Sequence, residues 1–82
     1  MTADEVFEVI VKNVRVVIPE LAGHAFAPTD SLKDLGANSI DRSEIVVMTL
    51  EDLAVVVPLV EVAGARNLGH LAALLHAKAG SR

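Results

Sequence analysis

Cysteine is absent from the 82 residues of this chain, which excludes a disulfide staple, a thiolate metal site and a cysteine nucleophile. Also absent is any apolar run long enough to span a bilayer. Residues 1–8 carry Asp4, Glu5 and Glu8 where a secretory signal would have a basic region and an apolar run. Basic residues are few: 7 Lys and Arg stand against 11 Asp and Glu, for a formal charge of −4. Because they are scattered, a nucleic-acid backbone is not the expected partner, and basic protein surfaces are. The chain is expected to be soluble and unprocessed; the lack of cysteine allows a reducing cytoplasm without demanding it, and a cytoplasmic monomer is the expectation.

What is present reads as helices. At 82 residues the chain makes one domain, residues 1–82, near the small end of what folds alone. There is room for one core and none for a separate active-site domain. Thr2-Ala3-Asp4-Glu5 has capping-box form, and Phe7, Ile10 or Val11, Val14 and Val17 or Ile18 recur behind it at helical spacing. A first helix is expected over Ala3–Val17 with Glu8 and Lys12 paired on its wet side, although its many valines make a strand the competing reading. Pro19 closes it. Residues 19–38 follow as a long loop, broken by Gly23, Pro28, Thr29, Asp30 and Gly36 and pinned to the core by Leu21, Phe26, Leu32 and Leu35.

Helical order resumes over Ser39–Leu53. Arg42, Val46, Thr49 and Leu53 line one stripe with Ile45 and Leu50 beside them, while Ile40, Glu44, Val47 and Glu51 form a second. Two partly apolar faces suggest one for the core and one for a partner. Residues 54–57 lead past Pro58 into a short helix expected near residues 59–63, which Gly64 ends. Asn67 then caps a last helix with Leu68, Leu71 and Leu74 or Leu75 inward and Lys78 near its negative end, and residues 79–82 are expected to fray. The order of elements is that of an all-α, antiparallel four-helix bundle with one long crossing.

The run Gly36-Ala37-Asn38-Ser39-Ile40 places a serine where the glycine-bearing loop turns into an amphipathic helix. A serine hydroxyl is a poor nucleophile without an adjacent base, and no local His or Lys offers itself, so Ser39 reads as a residue acted upon. The plain alternative is that Ser39 or Asn38 is only an N-cap. His24, His70 and His76 show no metal-ligand spacing and read as solvent or core-edge residues. No catalytic constellation is evident, and the chain is not expected to be an enzyme.

These residues carry a resemblance. Asp30-Ser31-Leu32-Lys33-Asp34-Leu35-Gly36-Ala37-Asn38-Ser39-Ile40 matches the D-S-L-x-x-L-G-x-D-S-[LI] run of acyl carrier proteins except at Asn38, where the family has an acid. Glu44, Glu51, the Val57-Pro58 pair and Asn67-Leu68 also fall where that family places second-helix acids, a proline before the third helix and the start of the fourth. The resemblance implies an acyl-carrier fold and 4′-phosphopantetheine, moved from coenzyme A to Ser39 by a phosphopantetheinyl transferase. Acyl groups are then held as thioesters on the arm's thiol. Ser31 sits in a D-S-L triplet but precedes the L-x-x-L-G element, so the carry-over falls on Ser39. A helix N-terminus suits a phosphodiester. The missing acid at Asn38 implies slower modification.

Within that family, Gly36 through Ile45 resembles the discrete donor carriers of polyketide β-branching cassettes. That resemblance implies a malonyl or acyl transferase, a decarboxylating ketosynthase homologue and a hydroxymethylglutaryl-type synthase as partners. Acetyl, made by decarboxylating carrier-bound malonyl, would be delivered to the synthase. The recognition surface carried over comprises Ile40, Asp41, Arg42, Ser43, Glu44, Val47 and Glu51. Acidic groups there favour encounter with basic enzyme mouths and the apolar ones supply contact, although Glu44 and Glu51 read equally as a solvated face. Arg42 is opposed by the helix dipole and has no acid at helical spacing to pair with, so helix stability does not account for it, and from physics alone an ordinary surface arginine is as good a reading as a specific one. Two alternatives stay open: a general extender or fatty-acyl carrier, and an unmodified helical interaction module.

Overall fold

Thr2 opens the first helix as its sequence promised. Its hydroxyl accepts from the Glu5 N–H at 3.2 Å, and the Glu5 carboxylate accepts from the Thr2 N–H at 2.8 Å. The computed structural model describes residues 1–80, and the ends of helices α1, Ala3–Val17, and α2, Ser39–Leu53, coincide with the sequence expectation. A last helix, α3, covers Leu68–Gly80, and Asn67 caps it by accepting the His70 N–H at 2.8 Å. The tail expected to fray from residue 79 needs correction, since Ala79 and Gly80 are the last residues of α3; Ser81 and Arg82 lie outside the described residues.

α1 packs against both α2 and α3 and is the central element. Val6, Ile10 and Val14 are fully buried and meet Ile45 and Leu50 of α2 and Leu68, Leu71 and Leu75 of α3. The inward stripe of α1 centres on Val6, with Phe7 only partly buried beside it, and Leu75 takes the fully buried position that the sequence left open between Leu74 and Leu75.

The four-helix expectation needs correction. Residues 59–63 make one 3-10 turn, Leu59–Glu61, so three α-helices and two such turns are present among the described residues; the other turn is Pro19–Leu21. The segment between Pro58 and Gly64 is too short to recover the cost of helix nucleation, and Val60 and Val62 are β-branched. Its bonds are mostly of the tighter kind, from Glu61 N to the Pro58 carbonyl and from Val62 N to the Leu59 carbonyl, both 3.0 Å. An ion pair from Lys78 to Glu61 ties this turn to α3.

Asn13 lies inside the apolar stripe of α1 and is 2% exposed, so its amide must find partners. It donates to the Thr49 hydroxyl at 3.0 Å and to the Asp52 carboxylate at 3.1 Å, and Thr49 in turn donates to the Ile45 carbonyl at 2.8 Å. The network fixes the register of α1 on α2. Lys12 adds an ion pair to Asp52 at 3.2 Å.

The long loop is fastened at both flanks. Against α1, Arg15 donates to the His24 carbonyl at 3.3 Å and its guanidinium lies 5.4 Å from the centre of the Phe26 ring. Against α3, the Leu68 and Gly69 N–H groups donate to the carbonyls of Asp30 and Pro28 at 2.9 and 2.8 Å. Helix first-turn donors have no partner within the helix, and the loop supplies one here. The approach requires glycine: a Cβ on Gly69 would stand 2.9 Å from Pro28 Cβ and 3.1 Å from its carbonyl oxygen. Alanine gains up to about 1 kcal/mol in helix propensity, but forced contact with backbone costs about 1–3 kcal/mol. Gly69→Ala is therefore expected to lower stability by a net of up to about 2 kcal/mol, read as a reduced urea midpoint with unchanged slope.

Acid should loosen the loop itself and the network between α1 and α2. Asp30 accepts the Ala27 N–H at 2.9 Å and lies 3.1 Å from His24 Nε2; the backbone bond first and the histidine second hold its carboxyl below the usual range. Asp52 is lowered by the Asn13 amide and then by Lys12. A carboxylate with a depressed folded pKa contributes stability that is present above its unfolded pKa and lost as pH falls through the folded one. Urea midpoints are expected to hold above roughly pH 5 and to fall below about pH 4, where unfolded carboxylates titrate. The double variant Asp30→Asn, Asp52→Asn should show a shallower acid slope.

Candidate functional site

The end of the loop is built as a helical turn stopped by glycine. Leu35 N bonds to the Ser31 carbonyl, Gly36 N to that of Lys33 and Ala37 N to that of Leu32, at 3.0, 3.1 and 2.9 Å. Gly36 sits at φ 95°, a conformation open to glycine and strained for other residues. Leu32 and Ala37 are buried and root the turn in the core, so the chain emerges at Asn38 with a fixed direction.

Asn38 is the N-cap of α2: its side chain accepts the Asp41 N–H at 2.8 Å, and its carbonyl accepts from Arg42 N at 3.0 Å. The cap role therefore belongs to Asn38. Ser39 is the first helical residue, exposed, with no hydrogen-bond partner for its hydroxyl among the described residues. The N–H groups of Ser39 and Ile40 are likewise unpaired there, as first-turn donors are. An exposed hydroxyl beside two free donors at the positive end of a helix fits a covalently attached phosphodiester.

Arg42 turns back over this junction. Its Nη1 donates to the Ala37 carbonyl at 2.8 Å, a charge-assisted bond across the turn that carries Ser39. The sequence pattern gave no acid for Arg42 to pair with, and the partner is a backbone oxygen, which no residue spacing reveals. Asp41 lies in the first turn, half-buried, while Ser43 is exposed. The second stripe of α2 is on the surface throughout: Ile40 is 74% exposed and Val47 41%, with Glu44 and Glu51 exposed between and beyond them. Val56 and Val60, after α2, are more exposed still and were not singled out from the sequence.

A cavity of about 470 Å³ opens between α2, the loop and the start of α3. Ser31, Ser39 and Ser43 supply hydroxyls to its wall and Lys33, Arg42 and Arg66 supply cations, over an apolar floor that includes Val46, Val62 and Leu71. Ser31 and Ser39 thus share one cavity wall. They differ in setting: Ser31 is half-buried ahead of the turn, and Ser39 is exposed after it. His24 is engaged with Asp30, and His70 Nδ1 accepts the Arg66 N–H at 3.1 Å. No cluster of three or more potential metal ligands occurs among the described residues.

Residues 9–75 match the family model described as phosphopantetheine attachment site. The chain is 47% identical over 78 residues to the polyketide biosynthesis acyl-carrier-protein AcpK of Bacillus subtilis (strain 168), covering 95% of each protein. Its fold superposes with a TM-score of 0.92 and 46% identity on a chain from the crystal structure of the curacin biosynthetic pathway HMG synthase in complex with acetyl donor-ACP. That match covers 95% of this chain and 100% of the other.

Proposed function

This chain belongs to the phosphopantetheine-attachment family, that of the non-catalytic acyl carrier proteins with covalent 4′-phosphopantetheine, and from that membership we propose that Ser39 carries the arm and that the protein is an acetyl donor in polyketide β-branching. One observation supports the site above others: Asn38 performs the capping, which leaves the Ser39 hydroxyl exposed at the helix N-terminus and unpaired among the described residues. In the attachment, Ser39 Oγ forms a bond to the phosphorus of coenzyme A bearing the pantetheine, the pyrophosphate P–O bond breaks with adenosine 3′,5′-bisphosphate as the leaving group, and the hydroxyl proton leaves to a base of the transferase. The arm's thiol supplies thioester chemistry when present. The chain's own residues fix where that arm is rooted: Gly36 and Ala37 set the turn, Asn38 caps it and Arg42 braces it.

The donor role draws support from the Gly36–Ile45 run, from the polyketide relative and from the solved neighbour described as a complex of an HMG synthase with acetyl donor-ACP. The exposed stripe Ile40, Glu44, Val47 and Glu51, with Asp41, Arg42 and Ser43 beside it, is the surface we assign to partner enzymes. Such a contact is small and transient, because a shuttle must leave each enzyme in turn. The partners in this reading are a phosphopantetheinyl transferase, a malonyl or acyl transferase, a decarboxylating ketosynthase homologue and a hydroxymethylglutaryl-type synthase.

Incubation with coenzyme A and a broad-specificity transferase should raise the intact mass by one phosphopantetheinyl group. The acetylated form should then acetylate a hydroxymethylglutaryl-type synthase. No mass gain would favour an unmodified interaction module, and loading without acetyl transfer to the synthase would favour an extender carrier.

A further inference from the structure

The cavity beside Ser39 inverts the charge of the molecule. The chain carries −4 overall, yet Lys33, Arg42 and Arg66 all line this one cavity and no Asp or Glu does. None of the three is held in an ion pair among the described residues, where the pairs present are Lys12–Asp52, His24–Asp30 and Lys78–Glu61. Arg42 commits Nη1 to the Ala37 carbonyl, and its other guanidinium N–H groups have no protein partner among the described residues. A low-dielectric wall lined by one sign of charge focuses potential and raises the local concentration of a counter-ion. The volume, about 470 Å³, lies within the range of small-molecule sites, and an apolar floor with a few convergent polar groups is how such sites are composed.

We propose that this cavity retains the free carboxylate of a carboxyacyl thioester, of the malonyl class, on the Ser39 arm and does not retain the uncharged acetyl that follows. The proposal rests on Ser39 being the attachment residue. Ser39 itself lines the cavity, so an arm rooted there starts at its edge. Lys33 and Arg66 supply the attraction, Arg42 lines the same cavity, and the methylene and thioester lie on the apolar floor. When a decarboxylating partner acts, the bond between the methylene and the carboxylate breaks, carbon dioxide leaves, and the electron pair takes up a proton to complete a methyl group. The anion is then gone and the cations lose their ligand. The same site thus holds the unprocessed cargo and frees the processed one without a change in the protein.

The test uses the full-length holo protein loaded with hydrolysis-stable, 13C-labelled malonyl and acetyl analogues. In the wild type the malonyl carboxylate should titrate about one unit below malonyl-pantetheine free in the same buffer, because nearby cations favour its charged form. Lys33→Ser with Arg66→Ser should move it most of the way back to the free value while circular dichroism is unchanged. Backbone amides from Arg66 to Leu71 should shift in the malonyl form and not in the acetyl form. A loaded wild type whose malonyl carboxylate titrates like the free compound overturns this proposal alone. Equal amide shifts in unacylated, acetyl and malonyl forms also overturn it, since they assign the cations to the arm phosphodiester. A chain that takes up no arm overturns the carrier reading and this proposal with it.

Discussion

Ser39→Ala is expected to take up no phosphopantetheine, while Ser31→Ala loads and yields the arm on Ser39 by peptide mass mapping. Both serines lie in D-S-like settings and both line the same cavity, so proximity does not choose between them. Setting does. Ser31 precedes the turn that Gly36 terminates, half-buried, and its carbonyl is engaged by Leu35 N. Ser39 follows it on the first turn of α2 with an exposed hydroxyl and, with Ile40, two N–H groups suited to a phosphate, all unpaired among the described residues. Neither substitution removes a cap or a core contact, so stability should change by no more than about 0.5 kcal/mol. The arm recovered on Ser31, or on no serine under conditions that load other carriers, would end the assignment.

Arg42→Ala is expected to slow acetyl delivery to the synthase by roughly 10- to 100-fold, a loss of about 1.4–2.7 kcal/mol, with phosphopantetheine attachment largely intact. Removing a cation from the positive end of α2 slightly favours the dipole, so helical content should hold. The bond from Nη1 to the Ala37 carbonyl adds a second consequence: Ala37 is buried, and its carbonyl loses a charged donor. Stability should therefore fall by about 1–2 kcal/mol. Arg42→Lys separates the two effects. A lysine can reach the carbonyl with one donor but cannot also present a planar fork, so restored stability with slow delivery marks contact with the partner or the arm phosphate. Equal delivery rates for wild type and Arg42→Ala, measured at subsaturating carrier, would leave Arg42 a brace for the turn and nothing more.

The parts of the fold legible in the sequence are those with local causes. Thr2 and Glu5 form a reciprocal cap, Asn38 and Asn67 accept first-turn donors, and Pro19 stops a helix, so both ends of α1 and α2 and the start of α3 could be read from the sequence. The exposed stripe on α2 was visible as periodicity for the same reason. Residues 59–63 misled because their composition and flanking proline and glycine suit a short helix, while the 3-10 outcome depends on how little chain is available for nucleation. Contacts between distant segments left little trace. Asn13 in an apolar stripe was a usable hint of a buried polar pair, given Thr49 in the facing stripe. The Arg42 bond to a backbone oxygen, the clearance that Gly69 provides for Pro28 and the gathering of Lys33, Arg42 and Arg66 around one cavity have no sequence signature.

The two bonds from the start of α3 to the loop give the molecule a built-in gauge. First-turn amides of a helix ordinarily face water and exchange their hydrogens with solvent readily, but those of Leu68 and Gly69 are covered by the carbonyls of Asp30 and Pro28. They can exchange only when the segment that ends in the Ser39 turn lifts away. Their deuterium uptake therefore measures the opening free energy of that segment in the intact protein, separately from the slower uptake of core amides such as that of Ile10, which tracks global unfolding. A partner enzyme that pulls on the loop should speed exchange at these two amides on a helix it never touches.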